Sequence, residues 1–89
     1  MFTTTLRIIN PLGLHARAAS KFVNVAKSFQ AEVQLSRGAE SVDGKRIMSV
    51  MLLAAPVGSD VELSVQGDDA EQAFNALCHL INDGFGELD

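Results

Sequence analysis

Two residues near the start of the chain combine types and spacing that suit covalent chemistry. They are His15 and Arg17, in the run Asn10-Pro11-Leu12-Gly13-Leu14-His15-Ala16-Arg17. A free histidine titrates at about pH 6.5, so its ring changes charge near neutrality. In the neutral form one ring nitrogen keeps a lone pair and can attack an electrophile. A guanidinium two positions on matches the oxygens of a phosphate. Phosphoryl transfer depends chiefly on positioning and charge stabilisation, and this pair offers both. The plainer alternative is a histidine that merely caps a helix, beside a solvated arginine.

The elements around the pair decide between these readings. Ala16 to about Phe29 reads as a helix, because Ala19, Phe22, Val23 and Ala26 recur at one-face spacing. His15 then sits at its mouth, where backbone N–H groups lack internal partners and the dipole is positive. That end is an anion site, and its field should also favour a neutral imidazole. Elsewhere the chain alternates over Phe2 to Ile9, Ala31 to Ser36 and Val61 to Val65, as half-buried strands do. Ala39 to Val42 reads as a strand returning from an Arg37-Gly38 turn. Lys45 to Ala55 reads as a short helix and Ala70 onward as a longer one, with Asp68 or Asp69 as its cap and Gly84 closing it. These elements imply an antiparallel or mixed four-stranded sheet with helices on one side.

Composition removes several function classes. With 89 residues the chain is one domain, 1–89. Eleven acidic against seven basic residues, with no Trp or Tyr, argue against a nucleic-acid surface. The single cysteine, Cys78, allows no internal disulfide, and no Cys/His spacing suggests a metal. The longest apolar run, Val50 to Val57, is far too short to span a bilayer. No leader pattern opens the chain, so the cytoplasm is the expected location and no cofactor is implied. His79, Cys78 and the acidic residues Asp68, Asp69, Glu71, Asp83, Glu87 and Asp89 read as structural or solvated groups.

The run Leu12-Gly13-Leu14-His15-Ala16-Arg17 resembles the active-site signature of the HPr family, the histidine phosphocarriers of the bacterial phosphotransferase system. Val42-Asp43-Gly44-Lys45 followed by Ile47-Met48-Ser49-Val50-Met51 resembles the family's second signature, and the order of elements fits along the whole chain. The resemblance implies an α+β open-faced β-sandwich, a four-stranded antiparallel sheet with three helices on one face. It implies a carrier rather than an independent enzyme. His15 would accept a phosphoryl group on Nδ1, as a pros-phosphohistidine, from Enzyme I charged by phosphoenolpyruvate. It would pass the group to an Enzyme IIA domain, with Arg17 pairing the phosphoryl oxygens. Two departures stand out. Ala18 replaces a proline common in the family, a change that a helix tolerates. Arg46 replaces the serine through which kinase-regulated members are controlled, so no phosphorylation is expected at that position.

Ile47, Met48, Met51 and Leu52 share one side of the short helix, with Val50 and Leu53 turned to the core. A helix this short cannot be buried all round, and flexible methionines suit a surface that meets several partners. The resemblance makes this the docking surface for Enzyme I and Enzyme IIA. Lys45 and Arg46 read either as basic additions to it or as a solvated pair. A monomer is expected. A competing reading is a small phosphatase of acylphosphatase type. Another is a regulatory protein of the nitrogen-related branch (NPr), whose His15 phosphorylation state would control its partners.

Overall fold

The computed structural model describes residues 1–88, and Asp89 lies outside the described residues. Along the chain run β1 (Phe2–Arg7), α1 (Ala16–Lys27), β2 (Glu32–Arg37), β3 (Glu40–Asp43), α2 (Ile47–Leu52), β4 (Asp60–Gln66) and α3 (Ala70–Asn82), then a 3₁₀ turn at Gly84–Gly86. The strands form one antiparallel sheet in the order β1-β4-β2-β3. Central pairs such as Leu35 with Leu63 and Val33 with Val65 put apolar side chains opposite one another. Alternation then divides the faces. Val33, Leu35, Val61, Leu63 and Val65 are buried under the helices, while Glu32, Gln34, Glu62 and Gln66 stay wet.

The helices supply the other half of the core. Ala18, Ala19, Phe22, Val23 and Ala26 of α1, and Ala70, Ala73, Leu77 and Ile81 of α3, form the buried stripes that the spacing implied. With the strand residues they make one cluster, closed by Val50, Leu53 and Phe85. The open-faced sandwich with three helices is therefore the observed architecture.

Several boundaries differ from the sequence reading by a residue or two, and three of them have a local reason. The β2–β3 turn is Gly38-Ala39, because Arg37 pairs with Glu40 and Gly38 takes φ +60°. Helix α2 starts late because the Asp43 carboxylate accepts from the Lys45 N–H and holds that segment in a turn. It ends early because Ala54 adopts φ +49°, while Arg37 Nη1 donates to the Leu53 and Ala54 carbonyls. Asp69 stands at the N-cap of α3 but makes no capping bond there. Its carboxylate instead accepts from the Gln30 and Ala31 N–H groups, at 2.9 and 2.8 Å, and ties the α1–β2 connection to α3.

Candidate functional site at the mouth of the first helix

The loop that carries His15 is held from both sides. Gly13 donates to the Asn10 carbonyl at 3.0 Å, and Leu14 donates to the Ala55 carbonyl at 2.9 Å. Gly13 has φ +68°, and a Cβ there would lie 2.6 Å from the Ala55 oxygen. Only glycine meets both demands, the left-handed backbone and the close approach of α2's trailing segment. The loop therefore enters α1 in a fixed direction, with His15 as the N-cap in extended conformation. The His15 carbonyl accepts from Ala19 at 2.8 Å, and its Nδ1 accepts from the Arg17 N–H at 3.3 Å. The histidine that the sequence singles out for its chemistry is thus also the helix cap.

The other ring nitrogen has a partner that the sequence did not announce. Nε2 lies 2.9 Å from each carboxylate oxygen of Glu87. Asn10, fully buried, donates through Nδ2 to the Gly13 carbonyl at 2.7 Å and to Glu87 Oε1 at 2.9 Å. These partners set the ring's tautomer. Carboxylate oxygens only accept, so Nε2 carries the hydrogen; a backbone N–H only donates, so Nδ1 keeps its lone pair. The side chains of His15 and Glu87 retain 26% and 13% exposure, enough for the ring edge to reach solvent. The His15 hydrogen bond, with support from Asn10 and Lys21 and against some desolvation, holds the Glu87 carboxyl below the usual carboxylate range.

Glu87 corrects the sequence reading, which placed it among solvated acidic residues. It lies 72 positions from His15, so no spacing rule links them. The one hint was the run Gly84-Phe85-Gly86 just before it, a composition that favours an unusual turn. The charge at the ring is therefore not set by the helix mouth alone.

Arg17 is exposed, and its guanidinium has no hydrogen-bond or ion-pair partner among the described residues. It borders a cleft of about 450 Å³ together with Pro11, Leu12, Lys21, Gly86 and Glu87. A free guanidinium beside a helix mouth is placed to meet an anion arriving at Nδ1.

The apolar patch lies next to this site, since the Leu14–Ala55 bond joins the His15 loop to the segment leaving α2. Met48 and Leu52 are 70% and 76% exposed, Ile47 and Met51 about half as much, and Val50 and Leu53 are buried. Leu12 is 72% exposed and borders the same cleft as Arg17. Sequence reasoning passed it over because a lone loop leucine has no periodicity. Lys45 is engaged structurally, donating from Nζ to the Phe29 carbonyl at 2.8 Å. Arg46 pairs loosely with Asp43 at 3.4 Å. His79 is exposed, and Cys78 is half-buried, its thiol pushed up by desolvation. Among the described residues no group of three or more His, Cys, Asp or Glu could hold a metal, and no helix is long and apolar enough to cross a membrane.

Known proteins resemble this chain in sequence and in fold. A family profile described as the phosphorylation site of the phosphotransferase-system HPr component matches residues 2–83. The phosphocarrier protein HPr of Pseudomonas aeruginosa is 52% identical over 83 residues, 92% of each chain. That of Neisseria meningitidis is 46% identical over 87 residues, 98% of each chain. Among solved structures, an HPr from Thermoanaerobacter tengcongensis superposes with a TM-score of 0.94 at 41% identity, covering 98% of both chains. Sequence and fold agree along nearly the whole length, and the chain belongs to the HPr family, phosphocarriers of the phosphotransferase system rather than independent enzymes.

Proposed function

We propose that His15 carries the phosphoryl group on Nδ1, that Arg17 holds its oxygens, and that Ile47, Met48, Met51 and Leu52 form the docking surface. The observation that carries this reading is the lone pair of Nδ1, held at the mouth of α1 by the 3.3 Å contact with the Arg17 N–H. That contact is long for an N–H···N bond and is weak enough to be exchanged. As Nδ1 bonds to phosphorus, the phosphorus bond to the donor nitrogen breaks and its electron pair returns to the donor. The Arg17 N–H then has a phosphoryl oxygen to donate to, and the guanidinium adds a second, charged contact. The donor is Enzyme I carrying a phosphohistidine derived from phosphoenolpyruvate, and the acceptor is a histidine of an Enzyme IIA domain. Transfer needs positioning more than covalent machinery, which fits a chain with no second catalytic acid or base at Nδ1.

Both partners must leave after transfer, so the interface should be modest and apolar at its centre. Met48 and Leu52, the most exposed of the four, supply that centre. The chemical form of the product tests the reading. After incubation with phosphoenolpyruvate and Enzyme I, the label should be lost in acid and kept in alkali, as expected of phosphohistidine. An acid-stable label would place the phosphate on a hydroxyl and reject His15.

A further inference from the structure

The short helix α2 closes on a residue that is unusual for its place. Ala54 takes φ +49°, in the left-handed region that a helix end commonly fills with glycine. An alanine side chain makes that backbone costly, so the surroundings must impose it. Arg37, the last residue of β2, is placed to do so. Its Nη1 donates to the Leu53 carbonyl at 3.1 Å and to the Ala54 carbonyl at 3.3 Å. The last carbonyls of a helix lack partners within it, and a guanidinium also suits the negative end of the helix. Arg37 is half-buried and makes no ion pair among the described residues. Its side-chain hydrogen bonds go to this one turn.

The next residue carries the consequence. Ala55 is buried at 2% exposure, and its carbonyl accepts from the Leu14 N–H at 2.9 Å. The same oxygen lies 2.6 Å from where a Cβ on Gly13 would stand, with Pro56 Cα at 3.0 Å. The His15 loop is therefore seated on Ala55 with no slack. Leu14, itself buried, is the residue before His15. A close-packed contact of this kind passes a displacement on rather than absorbing it. A shift of the Ala54 turn would move Leu14, and with it the start of α1.

We propose that Arg37 is a positioning residue for phosphoryl transfer. It clamps Ala54 in the left-handed conformation and so sets the Ala55 carbonyl on which the His15 loop is seated. The proposal rests on His15 being the phosphoryl carrier and on α2 carrying the docking surface. Both ends of the path then matter to transfer. Met51 and Leu52 lie immediately before the clamped carbonyls, and His15 lies immediately after Leu14. One arginine on the sheet thereby fixes the spacing between the surface that a partner grips and the ring that it must reach. A small misplacement of reacting groups costs rate even when no group that touches phosphorus is lost.

The test compares wild type with Arg37→Ala, Arg37→Lys and the double variant Arg37→Ala/Ala54→Gly. Hydrogen exchange of the Leu14 amide, taken relative to the amides of β4, reports the bond to Ala55. The rate of transfer at saturating phosphorylated Enzyme I reports function. In Arg37→Ala the Leu14 amide should exchange faster, and transfer should slow about fivefold, the scale of one lost hydrogen bond. In the double variant glycine adopts the turn without help, so both quantities should return toward wild type. Arg37→Lys keeps the charge on a single donor head and should fall between; it gives the same two readings if Arg37→Ala does not fold. A purely structural arginine would lower the melting temperature while leaving the relative Leu14 exchange and the rate of the folded protein unchanged, and that result overturns the proposal. So does a rate loss that disappears at high salt and that Ala54→Gly does not relieve, because it would place Arg37 against the partner instead. The exchange measurement needs no phosphoryl transfer. A wild type that takes up no label on His15 would therefore remove the underlying reading, and that failure is told apart from a failure of the clamp.

Discussion

At the scale of single residues, His15 is defined by what holds each ring nitrogen. A helix N–H faces one and a carboxylate faces the other, so the ring is held in one orientation rather than turning freely. Arg17 differs, since its guanidinium has no hydrogen-bond or ion-pair partner among the described residues and is available to an incoming anion. Arg17→Ala should leave the melting temperature unchanged and slow transfer roughly ten- to hundredfold. That corresponds to about 1.5–3 kcal/mol for a charge-assisted hydrogen bond made mainly in transfer. Stopped-flow transfer from Enzyme I measures this directly, and an unaltered rate would remove Arg17 from the site. Met48 belongs to the proposed docking surface. Met48→Asp puts a charge at the centre of the apolar patch and should slow transfer about tenfold, a typical loss at an interface hot spot. Its stability should stay within about 0.5 kcal/mol of wild type, because the side chain is mostly exposed.

At the scale of elements, the site depends on connections more than on regular structure. Gly13 fits beneath the Ala55 carbonyl and sets the angle at which the loop enters α1. Gly13→Ala should cost about 2 kcal/mol or more, from the left-handed backbone and the 2.6 Å clash, and should displace His15. Thermal unfolding and the His15 ring shifts would show both effects together. This is also where the sequence was least legible. The stripes of α1 and α3 and the alternation of β2 and β4 could be read because each is a local period set by burial. His15 and Arg17 could be read because they share one helix mouth and one motif. Glu87, Leu12 and the cross-chain role of Asp69 have no period. Their positions follow from turns at Gly13, at Gly84–Gly86 and at Gly67, a residue at φ +142° packed against Ala31, which only the folded chain brings together. The ends of α2 were misplaced for a related reason. Asp43 and Arg37, on neighbouring strands, decide where it starts and stops.

At the scale of the whole molecule, two carboxylates join distant parts of the chain and give the fold a defined response to acid. Asp69 is held below its usual range chiefly by the Gln30 N–H, and Glu87 by His15. A carboxylate whose pKa is lowered on folding stabilises the native state at pH values above its unfolded pKa. That stabilisation is lost as the pH falls through the lowered, folded value. Melting temperature should therefore be flat near neutrality and fall below about pH 4. Asp69→Asn should melt lower at pH 7 and lose less on acidification, because part of the titrating link is already gone. Parallel acid curves for variant and wild type would contradict that assignment.

All of these features converge on one ring. Phosphotransfer from phosphoenolpyruvate through Enzyme I, comparing wild type with His15→Ala, tests the account most directly. His15→Ala should fold as wild type does, because the loop is also held by Gly13, Leu14 and Asn10. It should take up no label under conditions in which wild type is fully phosphorylated. Equal labelling of the two proteins would contradict the assignment of His15 as the carrier.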